Sequence, residues 1–328
     1  QDAYSGMADG SGNIIPMNDI IDEYKKFDML YGIDAISGDW EFLGPDQVPE
    51  VPGGGTKTGI GRIMCVAFHP TEPNTLFVGS STSGIWKSTT GGGDWDNMNT
   101  DGLLHFGVSS IAVQASNPDV IYLGTGDRDA GEVPGQGVWK TTDGGWNWFQ
   151  LSGSIDNKTI NKVLIQPNWS EAILAATESG VFRSTNSGSS WSFCSGISGN
   201  ILDVEYKPGD PDVVYATGNG KFYRSENAGI SWSVVSYPLN VTTGRAEVAV
   251  TAANPEKVFV FAEKESEFFA LFVSPNSGQG FTSYLNNDIV DEGQGGFNLA
   301  FGADPTDEDV LHAGMVNMFK TEDGGYNW

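Results

Sequence analysis

An eight-residue motif occurs six times along this 328-residue chain. It has Ser or Thr at its first position, Asp or Asn at the third, Gly at the fifth and an aromatic residue at the eighth; only Thr90 breaks the third position. The first residues of the copies lie 53, 43, 41, 49 and 47 positions apart. The copies are Ser88–Trp95, Thr141–Trp148, Ser184–Trp191, Ser225–Trp232, Ser274–Phe281 and Thr321–Trp328. Such a period with β-rich flanks is typical of repeat folds, in which no single unit buries its apolar face alone.

Short β-rich runs separated by turn residues precede the motifs. In the second repeat the runs are Val108–Val113, Val120–Leu123 and Val138–Lys140, and a fourth run, Trp148–Leu151, starts at the motif aromatic. Asn, Asp and Pro between the first two runs favour a tight turn. The sequence therefore predicts an all-β fold, a β-propeller of four-stranded antiparallel blades, with six blades in this chain.

The motif itself is expected to form the hairpin between the third and fourth strands of a blade. Its hydroxyl and its Asp or Asn side chain would bind turn N–H groups, its glycine would adopt a positive φ, and its aromatic would pack between strands. Five motif tryptophans, together with Trp86 and Trp139 on third strands, are thus predicted to be core residues. Trp146 and Trp169 have no evident packing role in the pattern.

The two ends of the chain depart from the repeat. Residues 1–37 are predicted to be an N-terminal extension with one short helix between Met17 and Tyr31, and residues 38–328 to form the propeller. The helix would either pack on the propeller or bind a partner. Gly38–Gly44 resembles a fourth strand, and the sixth motif ends only at Trp328. We therefore expect at least seven blades, in a longer protein of which this chain is the N-terminal part.

Composition limits the partners that the chain can have. Its net charge of −25 argues against nucleic acid and against insertion into a membrane, and it fits either solubility in a salty medium or cation binding. The chain starts at Gln1, which fits removal of an export signal or a cloned fragment. Its two cysteines, Cys65 and Cys194, are expected to be unpaired and buried.

The motifs resemble the Asp-boxes, or bacterial neuraminidase repeats, of sialidases, sortilin-type receptors, xyloglucan-cleaving endoglucanases and photosystem assembly propellers. A closer resemblance is to large secreted Bacteroidota proteins with sortilin-like repeats, often exported by the type IX system. The segments that carry it are Trp40–Pro45, Gly61–Ile63 with Phe68–Pro70, Gly124–Gly131 and Gly293–Gly296. This resemblance implies a propeller that is secreted or on the cell surface, and it covers enzymes and binding proteins alike.

Two enzyme activities can be compared with the residues present. The similar endoglucanases carry a catalytic Asp after the second strand of the first blade, where this chain has Ser81. Sialidases bind a carboxylate with three arginines; Arg62, Arg128 and Arg245 would share one rim here, although Met64 replaces the expected proline and no Tyr–Glu pair stands out. The three histidines have no metal-ligand spacing.

The face opposite the motif hairpins is the predicted ligand face. Its longest loop in the middle of the chain offers Asp127, Asp129 and Glu132 to a hard cation such as Ca²⁺, or is simply a solvated acidic loop. The other ligand-binding candidates on this face are Arg62, Arg128, Arg245, Asp288, Asp291 and Glu292.

The residues favour a binding function. The sequence predicts a secreted or cell-surface propeller that acts as a scaffold for a protein or glycan ligand. The alternative is a glycoside hydrolase that acts on a polysaccharide and whose catalytic acids lie partly beyond residue 328.

Overall fold

The computed structural model describes residues 62–100, 103, 107–129, 131, 133–237, 244–285, 289 and 293–328. These residues form six antiparallel sheets, of which five have four strands and the last has three. The blades follow one another along the chain, and one short helix, α1, precedes the last sheet.

The strand bounds follow the repeat. Blade 1 contains β1 (Ile63–Phe68), β2 (Leu76–Ser80), β3 (Ile85–Ser88) and β4 (Asp96–Asn97). Blade 2 contains β5 (Val108–Val113), β6 (Ile121–Thr125), β7 (Val138–Thr141) and β8 (Phe149–Leu151). Blade 3 contains β9 (Ile160–Gln166), β10 (Trp169–Thr177), β11 (Gly180–Ser184) and β12 (Ser192–Phe193). Blade 4 contains β13 (Ile201–Lys207), β14 (Asp210–Gly218), β15 (Lys221–Ser225) and β16 (Ser233–Val235). Blade 5 contains β17 (Ala246–Val250), β18 (Val258–Lys264), β19 (Glu267–Ser274) and β20 (Thr282–Tyr284). Helix α1 (Gly295–Asn298) leads into blade 6, which contains β21 (Ala300–Ala303), β22 (Leu311–Gly314) and β23 (Met318–Thr321).

The sheets are arranged as the blades of a propeller. Within each sheet the strands pair in sequence order, and the first strands of successive blades, from β1 to β21, pack side by side around the axis. The all-β propeller predicted from the motif period is therefore confirmed. Because each blade is an up-and-down meander, the motif hairpins lie at one face of the propeller, and the loops between second and third strands lie at the other.

The motif hairpins are held by their own side chains, as the pattern predicts. In blade 2 the Thr141 hydroxyl donates to Asp143 Oδ1 at 2.7 Å and accepts from the Gly145 N–H at 3.1 Å. Asp143 Oδ1 also accepts from the Asn147 N–H at 3.0 Å. The turn needs two consecutive positive φ angles, 72° at Gly144 and 97° at Gly145. In blade 1 the Thr90 hydroxyl replaces the carboxylate and accepts from the Asp94 N–H at 2.9 Å.

The apolar core is divided into clusters shared by neighbouring blades. The motif aromatic of each later blade packs into the cluster that its blade shares with the preceding one: Trp148, Trp191, Trp232, Phe281 and Trp328. Trp191 and Trp232 are only 8% and 5% exposed. The motif aromatics thus pack among strands, as expected, and the strands they contact belong to two neighbouring blades.

The first blade differs from the others on the side that faces away from blade 2. The motif tryptophan Trp95 is 36% exposed, which corrects the expectation that all five motif tryptophans are core. Ile63, Val66 and Phe68 of β1 are also exposed. Both features have one physical reason, since no blade precedes blade 1 among the described residues. The seventh blade, the extension at residues 1–37 and the strand-like Gly38–Gly44 stay predictions, because those segments lie outside the described residues.

The cysteines are unpaired, as expected. Cys194 is buried and Cys65 is half-buried, and burial raises the pKa of each thiol to about 12. Both therefore behave as small apolar side chains at neutral pH. No helix in the described ranges is long and apolar enough to cross a membrane.

Candidate functional site

The three arginines predicted to share a rim do come together, at the axis of the propeller. Arg62 precedes β1, Arg245 precedes β17, and Arg128 follows β6, so all three start from the face opposite the motif hairpins. Arg62 forms an ion pair with Asp127. Arg245 Nη1 lies 2.6 Å from Asp129 Oδ1, and Arg128 Nε lies 3.6 Å from the same oxygen.

The loop after β6 carries these carboxylates across the axis. Gly126 has a φ of 106°, and a Cβ there would lie 2.9 Å from Gly135, so the loop can turn back on itself only with glycine. The Asp127 N–H donates to the Val133 carbonyl at 2.8 Å, and Asp127 Oδ1 accepts from the Asp129 N–H at 3.0 Å. This turn directs Asp129 of blade 2 to Arg245 of blade 5, 116 positions away in sequence.

Arg245 is the most highly coordinated side chain of the site. Its Nε and Nη2 donate to Glu247 Oε1 at 3.0 and 2.8 Å. Its Nη1 and Nη2 also donate to the carbonyls of Phe297 and Leu299, at 3.1 and 3.0 Å. The arginine is 6% exposed. It therefore joins blade 2, blade 5 and the segment that leads into blade 6.

A second group of charges, which the sequence analysis did not single out, lies on the inner strands. Lys162 of β9 has its ammonium 2.6 Å from Asp203 Oδ1 and 2.5 Å from Glu205 Oε1, both on β13. Asp203 Oδ2 accepts from the Val248 N–H at 2.8 Å, which links β13 to β17. The sequence pattern that could have identified this group is the alternation of charged and apolar residues on the first strand of a blade, as in Leu202–Lys207.

Burial governs the protonation of these inner acids. It raises the pKa of Glu205 and of Glu247 above the ordinary range, although Lys162 and Arg245 oppose that shift. Burial alone would lower the pKa of Lys162, but Asp203 and Glu205 outweigh it and raise that pKa. Together with the arginines and their partners, these residues form what we call the axial cluster: Arg62, Asp127, Arg128, Asp129, Lys162, Asp203, Glu205, Arg245 and Glu247.

The predicted calcium site is only partly described. Asp127 and Asp129 belong to the axial cluster and pair with arginines, whereas Glu132 lies outside the described residues. The described ranges contain no group of three His, Cys, Asp or Glu side chains that could hold a metal ion. Asp288, Asp291 and Glu292 also lie outside the described residues. Calcium binding at Asp127, Asp129 and Glu132 stays a prediction.

The position at which the similar endoglucanases carry an acid is occupied by a small, buried hydroxyl. Ser81 follows β2, is 9% exposed, and donates its N–H to the Arg62 carbonyl at 3.3 Å. This serine is therefore beside the axial cluster but adds no carboxylate to it.

No protein-family model matches the chain. Among curated proteins, it is similar to xyloglucanase Xgh74A of Acetivibrio thermocellus, with 26% identity over 161 residues, or 45% of this chain and 18% of the relative. It is 25% identical over 225 residues to a xyloglucanase of Paenibacillus sp., covering 65% of this chain and 21% of the relative. The chain thus spans about a fifth of the length of these relatives.

Solved structures share the fold. An ancestral GH74 enzyme superposes with a TM-score of 0.64 and 19% identity, over 82% of this chain and 37% of that one. The GH74 enzyme of Niastella koreensis gives 0.59 and 16%, over 82% and 45%. The protein YCF48, solved bound to a D1 peptide, gives 0.56 and 13%, over 82% and 81%. GH74-type propellers are therefore among its structural neighbours, whereas the Asp-box, sortilin-like and type IX features stay predictions.

Proposed function

We propose that this propeller is a secreted or cell-surface module that binds a neutral polysaccharide of the xyloglucan type without cleaving it. The curated relatives that it matches are xyloglucanases, which supports a glycan as the ligand. A net charge of −25 disfavours acidic polysaccharides, because they would be repelled at long range. A protein ligand on the face opposite the motif hairpins is the other partner that the fold accommodates.

The observation that supports the proposal is that carboxylates around the axis form ion pairs with arginine or lysine side chains. Glycoside hydrolysis uses two acids, one to protonate the leaving oxygen and one to act as base or nucleophile. Ser81 supplies no acid at the expected position. Asp127, Asp129, Asp203 and Glu247 each pair with an arginine or lysine, which keeps them from serving as a free nucleophile. Around the axis, these four acids are therefore engaged with cations rather than left as a pair of free acids.

Affinity electrophoresis tests the binding step. The 328-residue chain is run through native gels that contain xyloglucan, mixed-linkage β-glucan, pectin or no polysaccharide. We expect the protein to be retarded in the xyloglucan gel and to migrate in the pectin gel as in the empty one. Equal migration in all four gels would contradict glycan binding.

A hydrolase remains the second candidate function, and one observation favours it. Burial raises the pKa of Glu205, and a raised pKa is what a general acid needs near neutral pH. Glu205 pairs with Lys162 as Asp203 does, but 29% of its side chain is accessible, against 2% for Asp203. If the chain releases reducing ends from xyloglucan and Glu205→Gln abolishes the release without lowering Tm, this second function holds.

A further inference from the structure

A groove on the outer edge of the propeller, between blades 1 and 2, is outside the axial cluster. It has a volume of about 370 Å³, near the lower end of the range for small-molecule sites, about 300–1,000 Å³. Blade 1 contributes the end of β3, strand β4 and the residues after it, and blade 2 contributes its motif hairpin. The residues used below are Lys87, Asp96, Met98, Asn99, Gly145 and Trp146.

Trp146 lines the opening of this groove, and its hairpin is hydrogen-bonded to blade 1. Its side chain is 75% exposed, although it lies two residues before the packed motif aromatic Trp148. The Asn99 amide of blade 1 donates to the Trp146 carbonyl at 3.3 Å, and the Trp148 indole N–H donates to the Met98 carbonyl at 2.7 Å. These two hydrogen bonds hold the backbone that carries the indole. Little conformational entropy of that backbone would therefore be lost when a ligand binds.

The Trp146 ring has no ring or cation partner among the described residues, whereas two other exposed aromatics, Trp169 and Tyr326, each have one. The Arg183 guanidinium lies over the Trp169 ring at 5.5 Å. Tyr326, which occupies the same motif position in blade 6, packs edge-on against Tyr284 at 4.8 Å. Within the part of the chain that the structure describes, no aromatic ring or cation lies over Trp146.

The groove also holds two charged side chains that form no ion pair with a described residue. Lys87 lies 5.8 Å from the Phe77 ring, and neither Lys87 nor Asp96 forms an ion pair with another described residue. The corresponding groove between blades 5 and 6 differs, because its Lys257 pairs with Asp309 at 2.8 Å and Glu308 at 3.3 Å. Unlike the groove between blades 5 and 6, the first groove combines an open aromatic face with an ammonium and a carboxylate that can bind hydroxyls.

We propose that this groove binds one sugar unit of a neutral polysaccharide, with the apolar face of the ring stacked on Trp146 and its hydroxyls bonded to Asp96, Lys87 and Asn99. A flat apolar surface edged by donors and acceptors matches a pyranose, which has C–H groups on its faces and hydroxyls around its edge. One positive and one negative side chain give the groove no net charge, which suits a neutral sugar. This site rests on the proposed glycan binding but lies on the side of the motif hairpins, away from the axial cluster.

The test compares two exposed tryptophans. Binding of xyloglucan is measured by isothermal titration and by tryptophan emission, for the unaltered chain and for Trp146→Ala, Trp146→Phe and Trp169→Ala. We expect Trp146→Ala to weaken binding about tenfold or more, as for removal of a central aromatic anchor. Trp146→Phe should keep most of the affinity but lose the emission shift on binding, and Trp169→Ala should match the unaltered chain. Tm should not fall in Trp146→Ala, because the indole is largely exposed.

The outcomes separate this site from the function on which it rests. If the unaltered chain binds xyloglucan and Trp146→Ala binds equally well, the groove is not the site, and glycan binding itself stands. If Trp169→Ala weakens binding and Trp146→Ala does not, the blade 3 surface is the site instead; equal losses in both variants would contradict a site specific to the Trp146 groove. If the unaltered chain binds no xyloglucan, the proposed function fails and the groove assignment fails with it.

Discussion

At the scale of single residues, the third position of the motif decides how a hairpin responds to acid. It is Asp in blades 2 and 6, Asn in blades 3, 4 and 5, and Thr in blade 1. The Asn147 side chain and N–H, together with the Thr141 hydroxyl, lower the pKa of Asp143 to about 2. The N–H and side chain of Asn327, with the Thr321 hydroxyl, lower that of Asp323 to about 2.

These two shifts predict a loss of stability in acid. A carboxylate whose pKa is lower in the folded state stabilises the fold fully above its unfolded pKa, near 3.8, and loses that effect as the pH falls towards 2. The double variant Asp143→Asn, Asp323→Asn keeps an acceptor at each site, as blades 3 to 5 do, but cannot titrate. We expect Tm of the unaltered chain to fall more steeply between pH 4 and pH 2 than Tm of the variant. Parallel pH profiles would contradict this role.

The ion pairs of Arg245 lead to a second prediction, about the stability of the folded protein. Its removal would leave Asp129 and Glu247, 10% and 8% exposed, without their main cation. Truncating one partner of a buried ion pair costs about 3–5 kcal/mol, whereas an exposed pair contributes about 0–1 kcal/mol. We therefore expect Arg245→Ala to lower the free energy of unfolding in urea by several kcal/mol. Lys320→Ala, which breaks the exposed pair with Glu322, is the control and should change it little. Equal effects of the two variants would argue against the axial cluster as a structural element.

At the scale of elements, the motif hairpin connects two strands of one blade, and its aromatic residue packs against the neighbouring blade. Trp232 packs into the cluster shared by blades 3 and 4, and its indole N–H donates to the Gly229 carbonyl at 2.9 Å. Trp95 has the same place in its motif but no preceding blade among the described residues to pack against.

This difference predicts unequal costs for the same substitution. Trp232→Ala should lower the free energy of unfolding by about 3–5 kcal/mol, the usual cost of removing a buried large aromatic. Trp95→Ala should cost about 1–2 kcal/mol, since the ring is partly exposed. Urea titration of both variants checks the prediction. A Trp95 variant as unstable as the Trp232 variant would mean that motif aromatics act within a blade rather than between blades.

The elements were predictable from sequence to the extent that local pattern determines them. The motif hairpins and the four-strand order were foreseen because hydroxyl, carboxylate, glycine and aromatic all act within eight residues. That Arg62, Arg128 and Arg245 share a rim followed from their repeat positions. Their partners did not, because Asp129 reaches Arg245 across the axis and no repeat position specifies that pairing. The open face of Trp146 was visible only as a tryptophan without a packing role.

At the scale of the whole molecule, each apolar cluster is shared by two consecutive blades, so the propeller is held together by neighbours in sequence. The axial cluster adds contacts between blades 2 and 5, and between blade 1 and the segment before blade 6, where the Arg62 guanidinium lies 4.7 Å from the Phe297 ring. The charged groups at the axis thus connect blades that are not consecutive in sequence. Ligand binding by Arg62, Arg128 and Arg245 stays a prediction.

The central claim, binding without cleavage, can be tested in one measurement. Xyloglucan of narrow mass distribution is incubated overnight with the chain and separated by size-exclusion chromatography with light-scattering detection. We predict that protein elutes with the polymer and that the molar mass of the polysaccharide itself is unchanged. A fall in the molar mass of the polysaccharide, or elution of all the protein at its free position, would contradict the account.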